Sequence, residues 1–188
     1  PYASSQTRRI LAWEAPDLLV DLGPANASDA VPLGDGAAWV GNGELWSWDG
    51  DGSAASFSIG GPGVVGSTGQ RIFLGDFDGL TVSDGTPGGT LGIRDGQWYQ
   101  TKLVAHQSTA PGARALLANG SPGGLWTSDG TAGGTRVLQQ RYRNDASARL
   151  PGAWLLFGAR GLRSSDRNGA SAVFRWTGDA LLGVVRLE

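Results

Sequence analysis

One short pattern, Gly124-Leu125-Trp126-Thr127-Ser128-Asp129-Gly130-Thr131, is written four times into this chain with different degrees of wear, and it restricts the fold more than any other feature. Up to the aspartate it aligns without gaps to Glu44-Leu45-Trp46-Ser47-Trp48-Asp49, Gly79-Leu80-Thr81-Val82-Ser83-Asp84 and Gly161-Leu162-Arg163-Ser164-Ser165-Asp166. The aspartates are 35, 45 and 37 residues apart. Intervals of that size mark a solenoid, a propeller or an array of supersecondary units. Each copy reads as a strand running into a turn. Leu125 and Thr127 face one side of the strand, Trp126 and Ser128 the other. Gly130 then tolerates a positive φ, and the Asp129 carboxylate accepts hydrogen bonds from the amides that follow it.

Apolar runs flank every copy. Upstream stand Ala37 to Val40, Arg71 to Leu74, Arg114 to Leu117 and Ala153 to Phe157; downstream come Ala55 to Ile59, Thr90 to Ile93, Thr135 to Leu138 and Ala172 to Trp176. A weaker fourth run closes each unit, at Gly63 to Thr68, Tyr99 to His106, Ser147 to Leu150 and Ala180 to Leu187. Four short strands per repeat of about 35 to 45 residues predict an all-β fold, a small β-propeller of four to five antiparallel blades. The repeats are drawn at about 37–68, 71–107, 114–150 and 153–187 in a single domain, with N-terminal strands and a connector in 1–36. Ile10 to Leu22 would complete the last blade beside Ala172 to Leu187, because an open array leaves sheet edges exposed. A piece cut from a larger propeller is the remaining alternative. No stretch has a helical period, although Asp145 to Leu150 has room for one helical turn.

The residues Leu125-Trp126-x-x-Asp129-Gly130-Thr131-x-x-Gly134-Thr135, echoed in Leu80-x-x-x-Asp84-Gly85-Thr86-x-x-Gly89-Thr90, resemble the bacterial ELWxxDGT repeat family. Its signature also includes the Glu-Leu-Trp seen at Glu44 to Trp46. The resemblance spans roughly residues 35–178 and is specific in the second and third copies. The first and fourth depart from it, with Asp51 where threonine is expected and Arg167-Asn168 after Asp166. The resemblance implies a secreted, propeller-like bacterial protein, and so a fold more than a function.

Composition narrows the chemistry. A formal charge of −2 with dispersed basic residues offers no patch for a phosphate backbone, so nucleic acid is not an expected partner. The chain has no cysteine, which removes disulfides, thiolate chemistry and the common zinc motifs. No apolar run approaches the roughly 20 residues of a membrane span. It has no methionine and starts at Pro1, from which we expect a processed precursor and a secreted or cell-surface location. The 32 glycines fall between apolar runs and read as turn density rather than disorder.

Eight tryptophans are the richest functional signal. Trp46 and Trp126 in the octets, with Trp39 and Trp154 on the upstream runs, read as core between blades. Trp48, Trp98 and Trp176 fall off the repeat pattern among polar residues. Such rings stack on sugars, with Asp49, Asp95 and Arg175 supplying hydrogen bonds, which would make a lectin-like site. Asp76 and Asp78, with Asp84 farther on, are weak calcium candidates, since hard oxygen ligands around a glycine turn suit that ion. Turn formation explains the same aspartates, and no cofactor is expected.

Catalytic signals are sparse: the only histidine is His106, and there is no nucleophile elbow, zinc-protease helix or phosphate loop. A hydrolase using two aspartates is a distant alternative. The expectation is a non-enzymatic interaction or self-assembly module that binds a protein partner, with a glycan-binding lectin as the alternative. The connectors Gly96 to Gly112 and Gln139 to Gly152 are where an added function would sit.

Overall fold

Eighteen strands and no helix make up the described part of the molecule. The computed structural model describes the backbone of residues 8–15, 18–25, 30–98, 100–107, 113–119, 123–140, 142–150, 153–160, 171–177 and 181–187. Side chains are described for 22–23, 30–98, 100–107 (30–98 and 100–107 leaving out only 99), 113–119, 123–140 and 175–177. The octet at 161–166 lies outside the described residues, as do the side chains of Trp13 and Trp154.

Sixteen of these strands form four antiparallel sheets, each a simple meander of four. The first holds β3 (Val31–Leu33), β4 (Gly36–Gly41), β5 (Glu44–Trp48) and β6 (Ala55–Ser58). The second holds β7 (Gly63–Ser67), β8 (Ile72–Gly75), β9 (Gly79–Ser83) and β10 (Leu91–Asp95). In the third are β11 (Lys102–Gln107), β12 (Arg114–Asn119), β13 (Gly124–Ser128) and β14 (Arg136–Gln140). The fourth comprises β15 (Tyr142–Leu150), β16 (Ala153–Arg160), β17 (Ser171–Trp176) and β18 (Leu181–Leu187).

This order moves the unit boundaries by one strand. Gly63 to Thr68 was expected to close the first unit, yet β7 pairs with β8 and opens the second sheet. β11 and β15 likewise open the third and fourth sheets. The two presumed long connectors therefore contain strands, and Asp145 to Leu150 is extended in β15 rather than helical.

The N-terminal strands β1 (Arg8–Ala15) and β2 (Leu18–Ala25) pair with each other in a separate hairpin. They do not complete the last sheet, whose strand order is β15-β16-β17-β18. Instead β2 lies against β4, where Leu22 packs on Trp39.

The sheets stack face to face in chain order because their central strands are apolar on both sides. Along β4, Ala38 and Val40 pack towards the second sheet while Trp39 packs towards the hairpin. Along β8, Ile72 and Leu74 meet the first sheet and Phe73 meets the third. On β12, Ala115 and Leu117 face back to the second sheet, and Leu116 faces forward to Trp176 of the fourth. Alternation with period two thus feeds two cores at once. Each fully buried leucine, isoleucine or phenylalanine here contributes about 1.5 to 3 kcal/mol of transfer free energy.

Each sheet from the second onward meets the one before it through its first strand, β7 also lying against β4 and β15 also against β12 and β13. β3 approaches β7, β7 approaches β11, and β11 approaches β15. Ser67 Oγ donates to the Pro32 carbonyl, and the Gly34 amide donates to the Gly69 carbonyl at 2.6 Å. The fourth strands β6, β10 and β14 are largely exposed.

Candidate functional site

The repeated octet builds the same turn twice, bond for bond. In the second sheet the Thr86 amide and hydroxyl both donate to Asp84 Oδ1, at 2.9 and 2.7 Å. The Gly89 amide donates to Thr86 Oγ1 at 3.0 Å, and Thr90 Oγ1 donates to the Thr86 carbonyl at 2.6 Å. Since Thr90 has spent its single proton, the 2.7 Å contact between Ser83 Oγ and Thr90 Oγ1 has Ser83 as donor. Ser83 Oγ accepts in turn from the Gly85 amide at 3.0 Å. The third sheet repeats the relay through Ser128, Gly130, Asp129, Thr131, Gly134 and Thr135 at matching distances. Gly134 and Gly89 must be glycine, because a Cβ at either would overlap the carboxylate of Asp129 or Asp84.

Each turn leans on the sheet before it. Ser47 Oγ on β5 donates to the Gly85 carbonyl at 3.1 Å, and Arg71 Nη1, just before β8, donates to the Gly130 carbonyl at 3.4 Å. Gly85 and Gly130 have φ of 92° and 84°, and a Cβ on them would come within 2.7 Å of Leu33 and 2.9 Å of Arg71.

Hydrogen bonds from the Thr86 hydroxyl, then its amide, hold the Asp84 carboxyl below its ordinary pKa. At Asp129 burial raises the pKa, but the Thr131 hydroxyl and amide, with Arg114 at 3.7 Å, outweigh it and the net direction is down.

The calcium candidates serve the backbone in the same way. Asp76 Oδ1 accepts from the amides of Asp78 and Gly79 at 2.8 and 2.7 Å, while Asp84 is bound to Thr86. Among the described residues no three His, Cys, Asp or Glu side chains gather as a metal cluster. His106 is half-buried on β11.

The six residues of the lectin-like site are spread over three sheets. Trp48 and Asp49 belong to the first, where Trp48 is half-buried against Trp39 and donates to the Gly52 carbonyl at 3.2 Å. Asp49 Oδ1 accepts from the Asp51 amide. Asp95 ends β10, and its carbonyl accepts from Trp98 Nε1 at 3.3 Å. Trp98 itself is 2% exposed and meets Trp126 edge to face with centroids 5.1 Å apart. Trp176 is fully buried in the layer between the third and fourth sheets, while its neighbour Arg175 is exposed. The expectation that Trp98 and Trp176 are surface rings is therefore corrected: neither offers a face to a sugar. Conversely, the octet rings Trp46 and Trp126 are only partly buried.

A cleft of about 340 Å³, marked by no sequence motif, lies between the first and second sheets. Its walls include Phe57 and Ile59 of the first sheet with Thr81 and Gly92 of the second. Pro62 and Asp76 also line it. The one hint in the sequence is Thr81, which stands where the first and third octets have tryptophan.

No protein-family model, no curated protein and no solved structure matches this chain. Among the described residues no helix is long and apolar enough to cross a membrane.

Proposed function

We propose that the chain is a non-enzymatic β-propeller, or four blades of one, working as a secreted or surface-exposed module for self-assembly or partner binding. The observation that carries this reading is the gradient of burial across each sheet. The first strand of each later sheet packs on the sheet before it, while the fourth strands β6, β10 and β14 face solvent. Four-stranded antiparallel meanders packed one on the next support reading them as blades. The fourth strands are sheet edges, and on two of them large apolar side chains stand in solvent: Leu91 is 58% exposed on β10 and Val137 37% on β14. Exposed apolar edge strands are where another chain pairs or packs.

Light scattering over a range of concentrations tests the assembly role. The particle mass should be a defined multiple of 19.4 kDa, and Leu91→Lys with Val137→Lys should return it to monomer. A 19.4 kDa particle at every concentration, indifferent to both changes, removes the self-assembly reading.

A further inference from the structure

The layer between the second and third sheets shows what normally fills the space beside a third strand. Trp126 of β13 projects back to the second sheet, with the Arg94 guanidinium 5.4 Å from its ring centroid and the Trp98 ring against it. Two layers earlier, Trp46 of β5 projects back to the hairpin and stacks on Trp39, centroids 6.1 Å apart. The equivalent residue of β9 is Thr81, and there the cleft opens. The wall opposite is built from equivalent positions too: Phe57 pairs with Leu45 across β5 and β6 as Arg94 pairs with Leu80 across β9 and β10. Gly92, paired with Thr81 across β9 and β10, has nothing within 4 Å of where a Cβ would be.

The cleft therefore has the position and surroundings of a missing indole. Its volume, about 340 Å³, is within the roughly 300 to 1,000 Å³ typical of small-ligand sites. Phe57, Ile59 and Pro62 give it apolar surface. Asp76 is the one charged residue of the lining. Its Oδ1 is fixed by the Asp78 and Gly79 amides, which orients the carboxylate.

We propose that this cleft binds a small planar aromatic carrying a cationic amine, the ring taking the space that tryptophan fills in the neighbouring repeats and the ammonium pairing with Asp76. Burial of the ring supplies affinity, and the charge-assisted hydrogen bond supplies the preference for an amine.

Calorimetric titration with tryptamine and with indole tests this on the full chain. Both should bind, tryptamine about tenfold tighter. Thr81→Trp restores the repeat residue and should abolish binding of both probes. Asp76→Asn keeps an oxygen to accept the two turn amides, so it should leave indole binding unchanged and erase the tenfold preference. Should Thr81→Trp fail to fold, the Asp76→Asn comparison decides alone. Absence of binding by the parent chain, undiminished binding by a folded Thr81→Trp, or a preference that survives Asp76→Asn each overturns the proposal.

Discussion

The turns after β9 and β13 and the turn after β5 begin with the same Asp-Gly pair and end differently. In the two complete turns a threonine two residues past the aspartate both donates to the carboxylate and accepts from a glycine amide, tying eight residues together. In the first turn that position is Asp51, and only its amide reaches Asp49 Oδ1, at 3.2 Å. The Trp48 indole spans the remainder by donating to Gly52. Both kinds of turn nevertheless connect correctly paired strands. The sheet is thus specified by its buried central strands, and the hydroxyl relay adds a rigid knob whose glycine carbonyl docks on the preceding sheet.

The strongest test of that contrast is glycine replacement. Gly134→Ala forces a methyl group into the Asp129 carboxylate and should cost about 3 kcal/mol, on the scale of an overpacked site. Gly52→Ala, at a φ of 64° but with open space around it, should cost about 1 kcal/mol. Denaturant midpoints measure both, and equal losses would mean that the relay adds no rigidity.

Acid sensitivity gives a smaller effect. The folded pKa values of Asp84 and Asp129 are depressed, so the stability they contribute is complete above the unfolded value of about 3.9. It is lost as the pH falls through the folded values below that. Thr86→Val with Thr131→Val should therefore flatten the stability profile below about pH 4, the gap between variant and parent narrowing as the pH falls. A profile as steep as the parent's would assign the acid loss to other carboxylates.

The smallest expected change comes from converting the first turn towards the others. Asp51→Thr supplies the missing hydroxyl next to Asp49 and should raise stability by about 0.5 kcal/mol. A loss instead would show that the Trp48 to Gly52 contact needs Asp51.

The strands were readable from the sequence because period-two apolar runs and Asp-Gly turns are local signals. Their grouping was not, since only pairing shows that Gly63 to Ser67 joins β8, and the link from Ser58 to Gly63 resembles any other turn. Tryptophan burial failed for a related reason. Trp98 follows Asp95, Gly96 and Gln97, a polar setting in one dimension, and is covered by Trp126 from 28 residues further on. Thr81 was visible as wear in the octet, but a cleft exists only where a second sheet supplies the opposite wall.

The backward lean of the turns gives the chain a direction in time. Ser47 can engage its acceptor only after Gly85 has been synthesised, and Arg71 only after Gly130. Each of these two sheets is latched by the one made next, so completion runs from the amino end with a lag of one sheet. A chain that ended within β9 would hold the first sheet paired and joined to β7 but without the Ser47 latch.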